Sequence, residues 1–132
     1  MLFRSKTPNA IGYVELIFAI HHELSFAQVE NPAGQFIKAD LSSITVAAAD
    51  TARSGDQGFS ILNSPKKDAY PISTFTWLLI PSEGLDAQKK TAISGLVNWM
   101  LTSGQKQCAS LGYVPLPSAV AAKALNTMTS LK

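Results

Sequence analysis

The most regular stretch of the chain lies at residues 86–102, where Ala92, Ile93, Leu96, Val97, Met100 and Leu101 recur at helical spacing. Such spacing draws one continuous stripe along a 3.6-residue helix. Asp86 is placed to cap its N-terminus, and Ser103-Gly104 to stop or kink it. Taken as core, the stripe predicts that Leu96→Ala costs ~2–5 kcal/mol. Lys89→Ala, on the opposite face, should stay within about ±0.5 kcal/mol. A short helix at 105–111 follows, closed by Gly112, and Val114-Pro115-Leu116-Pro117 reads as extended because residues before proline avoid the α region. Residues 118–131 form a last helix, with Val120, Ala121, Ala124, Leu125 and Met128 along one side.

The chain before residue 86 reads differently. Residues 70–81 (YPISTFTWLLIP) are β-branched and aromatic between flanking prolines, the strongest strand signal present. From Trp77 to Ile80 the alternation stops, which predicts burial on both faces. Ile11-Gly12-Tyr13-Val14 reads as a second strand, running directly into a two-turn helix at 15–22. Residues 25–30 and 35–38 flank Asn31-Pro32-Ala33-Gly34, a turn by composition, and so predict a hairpin. Asp40 or Ser42 can cap a helix through Ile44, Ala47, Ala48 and Thr51 that ends at Ser54-Gly55. Residues 58–68 read as a loop with Phe59, Ile61 and Leu62 as its apolar contact. The class is α/β with a helix-rich C-terminal region.

Composition narrows what such a chain can do. Its 132 residues suit one folding unit or part of a larger one. Eleven Lys+Arg against nine Asp+Glu leave a charge of +2, too small to propose a nucleic-acid partner. Hydrophobic residues at 46% exclude a disordered chain. Charged residues at 15% are few beside the ~25% of ordinary soluble domains, as if part of the surface were kept against something else. The beginning of the chain has neither the apolar run nor the cleavage site of a secretory signal, so the sequence as written predicts a soluble, cytoplasmic product. Neither apolar stretch, 11–20 or 74–80, approaches the ~20 residues that span a bilayer.

Candidate chemistry is sparse. Cys108 is the single cysteine, so no intrachain disulfide forms, and with no positioned base it reads as a small core residue. His21-His22-Glu23 lacks the i, i+4 spacing of a helical zinc pair and reads as a solvated helix end. Arg53-Ser54-Gly55-Asp56 offers a guanidinium, a hydroxyl and a carboxylate, yet the same residues are what a helix C-terminus needs. Ser103-Gly104-Gln105 reads as punctuation between helices, and Ser73, Thr74 and Thr76 as polar positions of a half-buried strand. Lys66-Lys67-Asp68 and Lys89-Lys90 read as solvated charges, Trp77 and Trp99 as core anchors. No catalytic, ligand-binding or metal residue and no cofactor is assigned, and the chain is expected not to be an enzyme.

Several segments resemble the phosphate-binding proteins that serve ABC-type phosphate importers. Thr7-Pro8-Asn9-Ala10-Ile11-Gly12-Tyr13-Val14-Glu15-Leu16 is similar to the family's TPGAIGYVE strand-helix segment. Asn31-Pro32-Ala33-Gly34-Gln35-Phe36 is similar to its hairpin, and the Tyr70-Pro71-Ile72 strand to its YPI strand. Gly104-Gln105 with Gly112-Tyr113-Val114-Pro115-Leu116-Pro117 resembles its ending. The resemblance runs from about Ser5 onward and matches the C-terminal part of such a protein. It implies that residues 1–132 are part of a type II periplasmic-binding-protein-like fold, with phosphate as ligand, an ABC permease as partner and the periplasm or cell envelope as location. The family's anion-binding motifs have no match here, so the resemblance transfers no ligand residue. Two alternatives stand beside a phosphate-receptor fragment. One is an interaction module pairing with itself or with a separately encoded N-terminal half, since unpaired strand edges recruit partners. The other is a small enzyme, for which only the His and Cys residues speak.

Overall fold

A computed structural model of the chain describes residues 7–49, 60–81 and 83–128. In order these form α1 (Leu16–His21), β1 (Val29–Glu30), β2 (Phe36–Ile37), α2 (Leu41–Ala48), α3 (Ala87–Leu101), 3-10 turns at Ser103–Gln107 and Ala109–Leu111, and α4 (Ser118–Met128). The class is α/β, mostly helical in content.

The expected hairpin is present, with Val29 opposite Ile37 and Glu30 opposite Phe36. Its turn closes through Asn31 N–H donating to the Gln35 carbonyl at 2.8 Å and Gly34 N–H to the Asn31 carbonyl at 2.9 Å. Gly34 sits at φ +74, where a Cβ is strained. Asp40 then starts α2 with a capping box: its carboxylate accepts from Ser43 N–H at 2.8 Å, and the Ser43 hydroxyl accepts from Asp40 N–H at 3.2 Å. The helix ends at Ala48, short of the expected Thr51, and Thr51, Ser54 and Gly55 lie outside the described residues.

Residues 60–73 lie against the hairpin and α2. Tyr70 N–H donates to the Ser43 carbonyl at 3.2 Å, and Asn63 N–H to the Pro71 carbonyl at 2.8 Å. The buried side chains here are small: Ala39, Ala47, Ala48 and Ala69, with Ile61 and the polar Asn31, Ser43, Ser64 and Ser73. Small side chains let backbones approach closely, so hydrogen bonds rather than apolar bulk hold this region. Leu62 is exposed, and Phe59 lies outside the described residues.

The second packed region is helical. Asp86 caps α3 as expected, and α3 packs on α4 and on the first 3-10 turn. All five expected positions of α4 are buried or half-buried; the rest of that expected helix, 129–131, lies outside the described residues. The stripe of α3 is narrower than its periodicity predicts. Ile93, Val97 and Leu101 face inward, whereas Ala92, Leu96 and Met100 face out. Val97 is 7% exposed and Leu96 is 56% exposed. The expected cost of Leu96→Ala therefore passes to its neighbour. Val97→Ala should destabilise by about 1–3 kcal/mol, and Leu96→Ala by less than ~1 kcal/mol. Chemical denaturation followed by Trp fluorescence measures both, and the reverse ranking would contradict the helical phase seen here.

Two expected strands are not formed. Residues 11–14 and 70–81 carry no ladder: among the described residues the sheet consists of β1 and β2. Ile11 and Tyr13 are 98% and 101% exposed. In the second segment the buried positions are Pro71 and Ser73, while Ile72 faces out. Trp77, Leu78 and Leu79 are exposed rather than covered on both faces, and Trp99 is likewise no core anchor. The Phe75 and Trp77 rings still meet edge to face at 6.3 Å, two positions apart on one side of the chain.

Candidate functional site

An oxyanion site is assembled from backbone N–H groups at helix N-termini, hydroxyls and a guanidinium. At the N-termini of α2 and α3 the chain's own carboxylates take one backbone donor each. Asp40 receives Ser43 N–H, and Asp86 receives Lys89 N–H, each at 2.8 Å. Those backbone donors are the first cause holding both carboxyls below the usual carboxylate range. A phosphate approaching either end would meet the negative charge of the capping carboxylate. Arg4 and the Arg53-Ser54-Gly55-Asp56 run lie outside the described residues.

A groove of about 400 Å³ runs between α3 and α4, lined by Ser94, Asn98, Leu125, Asn126 and Met128. None of these side chains is charged, so the groove holds nothing to neutralise a phosphate dianion. His21 and His22 are exposed at the end of α1, where His22 N–H donates to the Phe18 carbonyl at 3.2 Å. Among the described residues no group of three or more His, Cys, Asp or Glu converges as a metal ion would need. Cys108 is half-buried between the 3-10 turns, its carbonyl accepting from Leu111 N–H at 3.0 Å and Tyr113 N–H at 2.9 Å. Ser73 is buried and donates to the Tyr70 carbonyl at 2.8 Å, while Thr74 and Thr76 face out. Lys66, Lys67 and Asp68 are exposed. So are Lys89 and Asp86, which form a 3.1 Å surface pair.

The residues that carried the family resemblance have a different role: they latch segments together. Asn31 is buried at the mouth of the hairpin. Its Oδ1 accepts from the N–H groups of Ala33 and Gln35, each at 3.0 Å. Its Nδ2 donates to the carbonyls of Lys67 at 2.7 Å, Ala69 at 3.1 Å and Lys66 at 3.3 Å. Gln105 bridges in the same manner, donating from Nε2 to the Met100 carbonyl at 2.6 Å and accepting Leu116 N–H on Oε1 at 2.7 Å. It ties the end of α3 to the Pro-Leu-Pro segment. Gly112 adopts φ +78 with the Ile17 side chain of α1 against its Cα face. Beside it the Tyr113 hydroxyl donates to the Glu15 carboxylate at 3.1 Å, and that carboxylate raises the phenol's pKa above its usual value. Composition marks Asn31 and Gly112 only as turn residues and does not mark Gln105 as a latch. An Asn opening a turn with Gly three positions on is the one local hint of such a knot.

The described residues thus define an α/β chain whose motif residues pack its segments together. Over most of its length it is similar to curated phosphate-binding proteins. The phosphate-binding protein PstS of Xylella fastidiosa strain Temecula1 is 36% identical over 111 residues, 83% of this chain and 30% of the relative. That of Methanocaldococcus jannaschii is 34% identical over 140 aligned positions, 96% of this chain and 36% of the relative. That of Pasteurella multocida is 28% identical over 121, covering 90% and 35%. The resemblance read from the sequence is borne out, and the chain spans about a third of the length of the curated relatives it matches. No family model matches the chain. Among the described residues no helix is long and apolar enough to cross a membrane.

Proposed function

We propose that this chain is the C-terminal portion of the phosphate-binding component of an ABC-type phosphate uptake system, without the complete anion site. Residues 1–132 would be one part of a type II periplasmic-binding-protein-like domain, in the periplasm or cell envelope. The ligand of the whole protein is inorganic phosphate, its partner an ABC permease, and its role binding rather than catalysis. The observation that carries the reading is the similarity, 34–36% in the first relatives, over most of this chain. The carboxylate caps on α2 and α3 support the incomplete site, since each places a negative charge where an anion would approach the helix end.

The test replaces the matched third of the Xylella relative by this chain. The chimaera is expected to bind phosphate at micromolar concentrations by isothermal titration, and this chain alone no better than millimolar. A folded chimaera that binds no phosphate would sink the proposal. Micromolar binding by the chain alone would show the anion site to be complete and direct attention to Arg53 and Ser54. The exposure of Ile11, Tyr13 and Leu79 favours a second reading, an interaction module that pairs with itself or with a separately encoded N-terminal half.

A further inference from the structure

The chain holds five asparagines, at positions 9, 31, 63, 98 and 126, and the fold treats them unequally. We propose that Asn9 is a site of spontaneous covalent modification, converting through a cyclic imide to aspartate and isoaspartate ahead of the other four. Thr7 to Ala10 form a turn with Pro8 and Asn9 at its centre, closed loosely by Ala10 N–H donating to the Thr7 carbonyl at 3.4 Å. Asn9 sits at φ +60, and proline followed by a positive φ is the arrangement of a type II turn. Glycine meets that demand most easily and asparagine next. The resembled segment TPGAIGYVE carries glycine where this chain has Asn9. Asparagine fits the turn but brings a reactive carboxamide to it. Asn9 and Ala10 are both exposed, and Ala10 sets only a methyl group beside the reacting atoms.

The reaction consumes water alone. The Ala10 backbone nitrogen gives up its proton and attacks Cγ of Asn9; the Cγ–Nδ2 bond breaks, and ammonia leaves with a proton. Water then opens the succinimide ring. Attack at Cγ gives aspartate, and attack at the backbone carbonyl gives isoaspartate, whose main chain is one methylene longer. Either product adds a negative charge to the exposed segment that leads into α1. The other four asparagines are held back by the same chemistry. Asn31 precedes Pro32, whose nitrogen carries no hydrogen, and its carboxamide is fixed by the bonds to Gln35, Lys67 and Ala69. Asn98 and Asn126 lie within α3 and α4, followed by the bulkier Trp99 and Thr127, so the ring closes only after the helix opens locally. Asn63 is the near competitor, because a small serine follows it. Its N–H, however, donates to the Pro71 carbonyl at 2.8 Å, and Ser64 is 1% exposed, so the backbone there is not free to turn toward the imide.

Incubating the folded chain near neutral pH at physiological temperature, followed by peptide mass mapping, tests the proposal without reference to phosphate. Asn9 is expected to convert at least about tenfold faster than any other asparagine, since the others react only from locally opened states. Isoaspartate should be the main product, read by methyl transfer from S-adenosylmethionine with an isoaspartyl methyltransferase, and hydroxylamine should trap the imide. Ala10→Pro removes the attacking N–H and should abolish the conversion. Ala10→Ile keeps that N–H but crowds the ring with a β-branched side chain, and should slow it severalfold. In urea the order should collapse, with Asn63 drawing level with Asn9, because only the fold holds Asn63 back. Conversion at Asn63 or Asn126 before Asn9 in the folded chain would overturn the proposal. So would conversion at Asn9 that persists in Ala10→Pro, that is unaffected by Ala10→Ile, or that yields aspartate without isoaspartate. An Asn9 still intact in the folded chain after the urea-treated chain has converted would count against it equally.

Discussion

Replacing Asn31 by leucine is expected to destabilise the chain by about 3–5 kcal/mol, since each buried group left without its partner costs ~1–3 kcal/mol and some will recruit water. Leucine keeps the branched shape and the number of heavy atoms but neither donates nor accepts. The N–H groups of Ala33 and Gln35 and the carbonyls of Lys67 and Ala69 would then lose their side-chain partner. Asn31→Asp is the sharper probe. The two oxygens of a carboxylate still accept from the turn, but one of them faces the carbonyls at 66–69, where Nδ2 now donates. Repulsion there should loosen residues 66–69 while the hairpin turn persists, and protonating the aspartate at low pH should restore part of the loss. Amide exchange at 66–70 together with urea denaturation measures both. An Asn31→Asp chain as stable as the parent, with 66–70 unchanged, would show that the knot contributes little.

The second large effect is expected at Gly112. A Cβ there would run into the Ile17 side chain, on a backbone at φ +78. Gly112→Ala combines the left-handed strain of ~1–2 kcal/mol with overpacking of ~1–3 kcal/mol, so ~2–5 kcal/mol is expected in total. Gly34 separates the two contributions, because it has nearly the same dihedral, φ +74, with nothing within 4 Å of the added carbon. Gly34→Ala should therefore show the strain alone, about 1–2 kcal/mol. Ile17→Ala placed on top of Gly112→Ala opens the needed space, so the pair should cost less than the sum of the single changes. Thermal denaturation of the five proteins closes the comparison. Equal costs at Gly34 and Gly112 would mean that α1 does not press on this turn.

Local features were legible from the sequence because short-range physics sets them. Asp40 and Asp86 cap helices because a carboxylate three positions before an unpaired N–H needs nothing else from the fold. Asn31 to Gly34 turn, Gly112 ends its 3-10 run left-handed, and α4 carries its apolar side as its periodicity predicts. The family resemblance was legible for a related reason, since it rests on these same residues. What the sequence could not supply was the partner of each element. Residues 70–81 have the composition of a strand, but a strand exists only when another chain segment offers its N–H and C=O groups alongside. For the same reason Leu96 and Val97 look alike along the chain, and only the docking of α4 and the 3-10 turn decides that Val97 is the one buried. The reach of Asn31 to Ala69 and of Tyr113 to Glu15 belongs to the tertiary structure as well. The amino-acid sequence by itself determined the helix starts at Asp40 and Asp86, the turns and the kinship with phosphate-binding proteins. The tertiary structure decided which of those elements touch, because contact between residues far apart in sequence depends on the whole arrangement and leaves no local signature.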